Sequence, residues 1–341
     1  MHTDCLACCI SSLKVTQLEL MITAVCTLFE GNYHYGVGAL VNSLYTNGFR
    51  GVVWAGYRGS LPPWARSLKA GQGYQEFSVS EDCVIRFLKL TTPKFLSNYK
   101  PDFMLQLWES YCPNVEALFY FDPDIVNKAS WDFYEDWVNR GVALCEDNIS
   151  NIPANHPWRL AWKEFAEINN YSCTREISRY YNSGFIGLKE SQKSLLSVWQ
   201  ELLEKFEAVT GISLSNFYLK PINEKYVHRN HWYFQNDQDF LNATLMLTSD
   251  SLSTIGSEGM DLGIGMQGGS TMSHAAGGGS KPWKKQLIRQ ALGGSPPRLA
   301  DKLYWQHTQI PIQLYSQSQL FWKKLELRCG AAIGRFIRRA Y

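Results

Sequence analysis

Residues 22–29, ITAVCTLF, and residues 51–57, GVVWAGY, are two short apolar segments on either side of an amphipathic stretch. Each is as long as a strand that is buried on both faces of a sheet. The apolar residues between them have the i, i+3, i+4, i+7 spacing of a helix face: Val37, Leu40, Val41 and Leu44. Asn47-Gly48 is a typical helix end. A strand, a helix and a second strand in close succession predict a βαβ unit and hence a parallel sheet.

The same alternation of strands and helices continues along the chain. Further strands are predicted at 115–121, 141–145 and 185–188, and a helix is expected to start at Pro101. Three more helices are predicted from apolar stripes: Trp131, Tyr134 and Val138; Leu195, Leu196, Trp199, Leu202, Leu203 and Phe206; and Phe240, Leu241, Thr244 and Leu245. The predicted fold class is therefore α/β, with a mixed, mostly parallel sheet flanked by helices.

Changes in composition along the chain suggest its organisation. Residues 256–279 contain nine glycines, and we predict no regular element there, only a loop over a site or a linker. The expected divisions are an N-terminal lead at 1–20, one large domain at 21–315 and a C-terminal extension at 316–341.

The overall composition argues against several classes of protein. The chain has 341 residues, of which 45% are hydrophobic, so global disorder is excluded. Its 33 basic and 31 acidic residues give a net charge of +2, which provides no general attraction for nucleic acid. No apolar run approaches the roughly 18 residues of a membrane-spanning helix, so a spanning protein is not expected.

The cysteines and the N-terminus indicate a cellular compartment. The nine cysteines are scattered, and the cluster Cys5-x-x-Cys8-Cys9 lacks a second Cys/His pair at zinc-site spacing. The N-terminus does not have the basic start and apolar core of a secretory signal. Reduced thiols then favour a cytoplasmic location.

Residues 321–341 combine basic and aromatic side chains. They carry six basic residues and one acidic residue, Glu326, interleaved with rings such as Trp322 and Phe336. The pattern predicts a peripheral contact with the inner face of a membrane, because Lys and Arg attract anionic headgroups and aromatic rings lie at the interface. An ordinary packed helix with a solvated basic face fits the pattern equally well.

Asp122-Pro123-Asp124 directly follows the apolar strand predicted at 115–121. In an extended chain residues i and i+2 point the same way, so the two carboxylates share one side. Ligands of open α/β sheets bind at the carboxyl ends of strands, and paired carboxylates suit Mn²⁺ or Mg²⁺. A solvated turn is the alternative, since Asp and Pro both favour turns.

Three other segments carry candidate polar groups. Asn236-Asp237-Gln238-Asp239 precedes a predicted helix and either caps it or contacts a substrate. His274 could complete a metal site begun by two carboxylates, and Lys281, after a run of glycines, could bind a phosphate; an exposed surface loop is the alternative. Asn182-Ser183-Gly184 is a polar turn before a strand, where Asn182 either meets sugar hydroxyls or is an ordinary turn residue.

Taken in this order, the segments resemble the GT-A glycosyltransferases, and most of all glycosyltransferase family 8. The resemblance extends from about Ile22 to Ile312. The matching segments are the opening strand with Thr27 and the following Tyr33, Asp122-x-Asp124 for the D-x-D motif, Asn182-Ser183-Gly184 for the N-[AS]-G step, Asp237-Gln238-Asp239-x-x-Asn242 for D-Q-D-x-L-N, and His274-x-x-Gly277 with Lys281-Pro282-Trp283 for H-x-x-G-x-x-K-P-W. The resemblance implies the GT-A nucleotide-diphospho-sugar transferase fold.

The same resemblance implies an activity and a set of roles. The activity is retaining transfer of a sugar, as from a UDP-hexose, to a saccharide or lipid-linked acceptor. The implied roles are metal binding by Asp122, Asp124 and His274, donor binding by Thr27, Tyr33, Lys100, Asn182 and Lys281, and catalysis by Asp237 and Gln238. A cation and Lys281 would stabilise charge on the leaving diphosphate, and the departing phosphate would accept the proton of the acceptor. Asp237 and Gln238 would then act by electrostatics and positioning rather than as nucleophiles.

Two other functions remain open from the sequence. A sugar-phosphate nucleotidylyltransferase needs a Gly-rich, Arg-containing loop after the first strand, whereas the chain there reads Glu30-Gly31-Asn32-Tyr33. A nucleotide-sugar-binding scaffold without turnover needs no catalytic groups, and the intact acid pair and His274 argue against it.

Overall fold

The computed structural model describes residues 21–215, 234, 236–262, 271–277 and 280–337. The predicted lead at 1–20 lies outside the described residues. So do 263–270 and 278–279 of the glycine-rich stretch, and Arg338 and Arg339 of the C-terminal extension.

A mixed sheet forms the centre of the described part of the chain. Its ten strands follow the order β11–β8–β10–β6–β1–β2–β5–β4–β3, with β9 paired to β8, and β7 and β12 form a separate antiparallel pair. The strands are β1 (Thr23–Glu30), β2 (Gly51–Arg58), β3 (Lys69–Ala70), β4 (Gln75–Ser78), β5 (Cys83–Lys89), β6 (Ala117–Phe121), β7 (Ile125–Asn127), β8 (Val142–Asn151), β9 (Arg179–Tyr181), β10 (Phe185–Lys189), β11 (Leu252–Ile255) and β12 (Met272–His274).

Helices cover both faces of this sheet. They are α1 (His34–Thr46), α2 (Lys100–Gln106), α3 (Trp131–Val138), α4 (Pro157–Ile168), α5 (Ser194–Thr210), α6 (Asp237–Leu247), α7 (Leu287–Leu292), α8 (Leu299–Gln306) and α9 (Gln317–Phe336), and a π-helical turn at Leu107–Tyr111 continues α2. The predicted α/β class, with a mixed sheet flanked by helices, is confirmed.

The side chains of β1 alternate between the two faces of the sheet, which explains why helices cover both faces. Ala24, Cys26 and Leu28 belong to the core shared with α2, α4, α5 and α6, whereas Val25 and Phe29 belong to the core shared with α1, α3 and α8. Successive side chains of a strand point to opposite faces, so a strand that is apolar at every position needs a hydrophobic layer on each side. The continuous apolar run at residues 22–29 is therefore explained by three layers, with the sheet between two layers of helices.

Strand direction brings the polar segments to one edge of the sheet. β1 is parallel to β2 and β6, and β2 is parallel to β5. β10 is antiparallel to both β6 and β8, so β6 and β8 run in the same direction. The carboxyl ends of β1, β6 and β8 and the amino end of β10 consequently meet at one edge.

Two sequence-based expectations differ from the structure. The prediction that 256–279 holds no regular element is wrong, because Ser257–Met260 forms a 3₁₀ turn and β12 pairs with β7. Pairing with a strand remote in sequence creates β12, so glycine content nearby does not reveal it. The elements that were not predicted are strands β3, β4, β5, β7, β9 and β11 and helices α4, α7 and α8.

The C-terminal helix α9 has one packed face and one exposed face. Gly330 and Gly334 approach α7 and Pro296 so closely that a Cβ would lie 3.0 Å from Leu287 O and 2.3 Å from Pro296 Cβ. Phe321 and Trp322 are exposed on the opposite side. Within the described ranges, no helix has the length and apolar character needed to cross a membrane.

Candidate active site

The turn Asp122–Pro123–Asp124 lies where β6 leaves the sheet. Asp122 N donates to Gly184 O at 2.7 Å, and Ile125 N donates to Asp122 O at 3.0 Å, which closes the turn. Antiparallel pairing of β7 with β12 places His274 opposite Ile125, and Ala275 N donates to Asp124 O at 3.0 Å. The turn after β6 and the pairing of β7 with β12 thus bring the imidazole beside both carboxylates.

Asp122, Asp124 and His274 form a group that could hold a divalent cation. One ligand atom from each lies within 4.8 Å of the others. His274 Nε2 is 3.2 Å from Asp124 Oδ1 and 3.7 Å from Asp122 Oδ2. Asp124 and His274 are buried, and Asp122 is more accessible. Two carboxylates and one imidazole fit Mn²⁺ or Mg²⁺, and the three residues implied as ligands are indeed adjacent.

Gly184, at the amino end of β10, gives this group its space. A Cβ there would lie 2.6 Å from His274 Cε1, 2.8 Å from Asn182 Oδ1 and 2.9 Å from Asp122 Oδ2. Any larger residue would displace at least one of these side chains, since contacts this short are not tolerated.

Lys281 completes the charge balance around Asp124. Its Nζ lies 2.6 Å from Asp124 Oδ2 and donates to Ala275 O at 3.0 Å. Burial by itself would raise the pKa of Asp124, but attraction and hydrogen bonds from His274 and Lys281 lower it well below its ordinary value. Burial likewise works to lower the pKa of Lys281, and Asp124 overcomes this and raises it. Both groups therefore stay charged at neutral pH.

Lys100 lies beneath the acid pair, with 2% of its side chain exposed. Its Nζ is 3.2 Å from Asp122 Oδ1 and 2.9 Å from Asp237 Oδ2, and it donates to Ser183 O at 2.9 Å. Burial works to lower the pKa of Lys100, but the two carboxylates raise it above its ordinary value. Lys100, which the resemblance implies as a contact of the sugar donor, thus links Asp122 to Asp237 at the start of α6.

The start of α6 is joined to the turn before β10. Ser183 Oγ donates to Asp237 Oδ2 at 2.8 Å, and Ser183 N donates to Gln238 Oε1 at 3.1 Å. Asn242 donates to Tyr181 O and accepts from Tyr181 N. Asn236 is the N-cap of α6 and accepts from Asp239 N, so the capping interpretation holds for Asn236. Asp237 and Gln238 instead face the polar turn.

Asp147 is a site residue that the sequence analysis missed. Its Oδ2 accepts from Asn182 Nδ2 at 2.6 Å and from Gln238 Nε2 at 3.2 Å. It lies on β8, just beyond the strand segment predicted at 141–145. Because β8 runs parallel to β6, its carboxyl end reaches the same edge of the sheet. The position of Asp147, just after a predicted strand, was therefore the signal in the sequence that could have identified it.

Two adjoining cavities open at this edge. One of about 310 Å³ is lined by Glu30, Tyr33, the acid pair and Lys281, and one of about 520 Å³ is lined by Asp147, Asn182 and Arg298. They share His274, Ala276 and Gly277. Thr27 is fully buried within β1 and lines neither of these two cavities.

The first turn of α1 packs directly on the acidic turn. A Cβ at Gly36 would lie 2.1 Å from Pro123 O and 2.9 Å from the ring of Trp283. Tyr33 meets the same Trp283 ring edge-to-face, with centroids 5.3 Å apart. Burial raises the pKa of Tyr33. Lys281-Pro282-Trp283 is therefore held against the wall of the smaller cavity.

No protein-family model and no curated protein matches the chain. Among solved structures, the chain is similar to WbbM. That protein is a bifunctional glycosyltransferase in its apo form, with 14% sequence identity and a TM-score of 0.47. The similarity covers 90% of this chain and 52% of WbbM, so the chain spans about half the length of that protein.

Proposed function

We propose that this protein is a metal-dependent glycosyltransferase of the family-8 type. It would move a sugar, with retention, from a nucleoside diphosphate such as a UDP-hexose to a saccharide or lipid-linked acceptor. The observation that carries the proposal is the Asp122–Asp124–His274 group at the carboxyl edge of the sheet, with Lys281 on the wall of the same cavity. Paired carboxylates and a lysine beside a cavity at this edge suit a metal-bound diphosphate.

The smaller cavity is the proposed donor site. Asp122, Asp124 and His274 would hold Mn²⁺ or Mg²⁺, which when bound neutralises a diphosphate and stabilises it as a leaving group. Lys281 would donate to the diphosphate from the cavity wall, and Tyr33 would lie along the nucleotide. Thr27 stays a proposed donor contact, although its side chain is fully buried within β1.

The larger cavity is the proposed place of the sugar and the acceptor. Asn182 and Asp147 line it, and Asp147 accepts hydrogen bonds from both Asn182 and Gln238. Amide and carboxylate groups arranged in this way can orient sugar hydroxyls. The shared wall of His274, Ala276 and Gly277 would bring the two substrates together.

Asp237 is proposed to act by electrostatics rather than as a nucleophile. Its carboxylate is paired with Lys100 and accepts from Ser183 Oγ, and 4% of its side chain is exposed. Gln238 is held by Ser183 and Asp147, which suits it to positioning the donor sugar. In a retaining transfer the departing phosphate would take the proton of the incoming hydroxyl.

A peripheral membrane location is a further part of the proposal. Phe321 and Trp322 are exposed at 63% and 65%, and their rings contact each other on α9. Lys324 and Arg328 lie on the same helix. Exposed rings with nearby cations suit the surface of an anionic bilayer, as on the cytoplasmic side of a membrane.

Donor hydrolysis with a panel of nucleoside diphosphate sugars and Mn²⁺ tests the activity. We expect turnover of one donor in the wild type and a loss of about 100-fold or more in Asp124→Asn, since a catalytic metal contributes several kcal/mol. Asp132→Asn, an exposed change on α3, is the matched control and should keep full activity. Donor binding without turnover in the wild type would favour the scaffold, and formation of a nucleotide sugar from a sugar phosphate would favour the nucleotidylyltransferase.

A further inference from the structure

Both oxygens of Asp124 already have a partner. Oδ1 faces His274 Nε2 at 3.2 Å, and Oδ2 faces Lys281 Nζ at 2.6 Å. The carboxylate is 5% exposed, so it depends on these groups rather than on water for its stabilisation. Lys281 is thus the counter-ion of a residue that is also a proposed metal ligand.

The environment of Lys281 allows it to change partner. Its backbone is fixed because Trp283, two residues further on, is packed between Tyr33 and Tyr304. Its side chain is a flexible stem with three donors, of which Asp124 and Ala275 O take two. Lys281 also lines the cavity proposed for the diphosphate, so an anion bound there would be within its reach.

We propose that Lys281 competes with the divalent cation for the negative charge of Asp124 and gives up that carboxylate when a diphosphate takes its ammonium group. Metal and diphosphate would then bind cooperatively. This inference rests on the proposed function, because it takes the Asp122–Asp124–His274 group to be the metal site.

The competition has a simple electrostatic cause. An ammonium group 2.6 Å from Asp124 cancels much of the charge that would attract a cation, and it also repels that cation. A diphosphate supplies Lys281 with a replacement anion, so its binding removes the obstacle. By linkage, the diphosphate must strengthen metal binding by the same factor by which the metal strengthens diphosphate binding.

Titration calorimetry with Mn²⁺ alone, and then with Mn²⁺ in the presence of inorganic pyrophosphate, tests this without any turnover. The variants are Lys281→Met and Lys281→Gln, where glutamine keeps a neutral donor for Asp124 if the methionine variant is unstable. Lys284→Met, three residues away and exposed, is the matched control.

We expect pyrophosphate to tighten Mn²⁺ binding to the wild type and to Lys284→Met. The Lys281 variants should bind Mn²⁺ alone about fivefold more tightly or better, in line with the size of ordinary coupling between sites. Pyrophosphate should tighten their Mn²⁺ binding by a factor about fivefold smaller than in the wild type, because only direct contact between the cation and the diphosphate remains. Unchanged or weaker Mn²⁺ binding in the Lys281 variants would overturn this inference and leave the proposed function standing. Failure of the wild type to bind Mn²⁺ under either condition would overturn both.

Discussion

His34, the first residue of α1, is a buried imidazole at the border of the candidate site. Its Nδ1 accepts a hydrogen bond from Trp64 Nε1 at 3.2 Å, which requires that nitrogen to be unprotonated. Burial lowers the pKa of His34 to about 4, from an ordinary value of 6.5. The imidazole of His34, next to Tyr33 in the chain, is therefore neutral in the folded protein.

This shift predicts a loss of stability in mild acid. The unfolded chain takes up a proton at His34 near pH 6.5, whereas the folded chain resists it down to about pH 4, so the contribution is complete above about pH 6.5 and is lost as the pH falls to about 4. We expect the free energy of unfolding to fall by about 2 kcal/mol across this range from His34 alone. Urea unfolding at several pH values measures it.

His34→Gln provides the comparison, because a glutamine can still accept from Trp64 but does not titrate. Its unfolding free energy should fall less steeply over the same range. Parallel curves for the wild type and His34→Gln would assign the acid sensitivity to other groups.

At the scale of elements, the start of β10 and the pairing of β12 with β7 build the site together. Asn182 contributes an amide that is hydrogen-bonded to Asp147, Ser183 contributes a link to α6, and Gly184 leaves space beside His274. β12 contributes His274 at its last position.

Gly184→Ala should weaken metal binding and also lower the stability of the fold, and the two effects can be measured independently. The new Cβ would approach His274, Asn182 and Asp122, so we expect weaker Mn²⁺ binding by about tenfold and a stability loss of about 1–3 kcal/mol. Calorimetry and thermal unfolding measure the two effects.

Gly293→Ala is the control for that experiment, since its Cβ would meet only the carbonyl oxygens of Gln290 and Arg289, at 3.3 and 3.7 Å, and no side chain of the candidate site. It should leave Mn²⁺ binding unchanged. Full metal affinity in Gly184→Ala would mean that the three-residue group is not the cation site.

The elements differ in how far local sequence determined them. α1, α3, α5 and α6 were predictable because a continuous apolar stripe needs no partner to be recognised. β5 was not, although Cys83, Ile85 and Phe87 alternate towards the core. Its Arg86 is accommodated by Glu76 and the rings of Trp54 and Tyr74, which only the folded chain brings together.

At the scale of the whole molecule, the order of the motifs along the chain predicted which residues meet at the candidate metal site. It did not predict all of the side-chain contacts around that site. The adjacency of Asp122, Asp124 and His274 was implied by a resemblance and is present in the fold. The pairing of Lys281 with Asp124 and the hydrogen bond of Asp147 to Asn182 were not predicted, because these contacts join residues far apart in the chain. Periodicity and spacing carry no information on such pairs.

The exposed face of α9 predicts binding to anionic membranes. The full chain should sediment with vesicles containing about 30% anionic lipid and much less with neutral vesicles, because basic residues near the surface each contribute about 1 kcal/mol. The double variant Phe321→Ser, Trp322→Ser should reduce sedimentation several-fold, since it removes the two exposed rings of α9.

Ile168→Ser is the matched control for the vesicle experiment. Ile168 is 59% exposed at the end of α4, so its loss removes apolar surface without touching α9. Equal sedimentation of the wild type and the double variant would support the packed-helix alternative for the C-terminal extension.

The enclosed ammonium group of Lys100 has a consequence for how loss-of-function variants are interpreted. Asp122 and Asp237 both contact it, so truncating either carboxylate removes one of its two ion pairs and leaves the buried cation with a single anionic partner. A drop in turnover after Asp237→Ala would then have two causes. One is the loss of any direct role of Asp237, and the other is the disturbed packing around Lys100. Paired substitutions that also replace Lys100 with methionine would distinguish a reacting group from a scaffold charge in this protein.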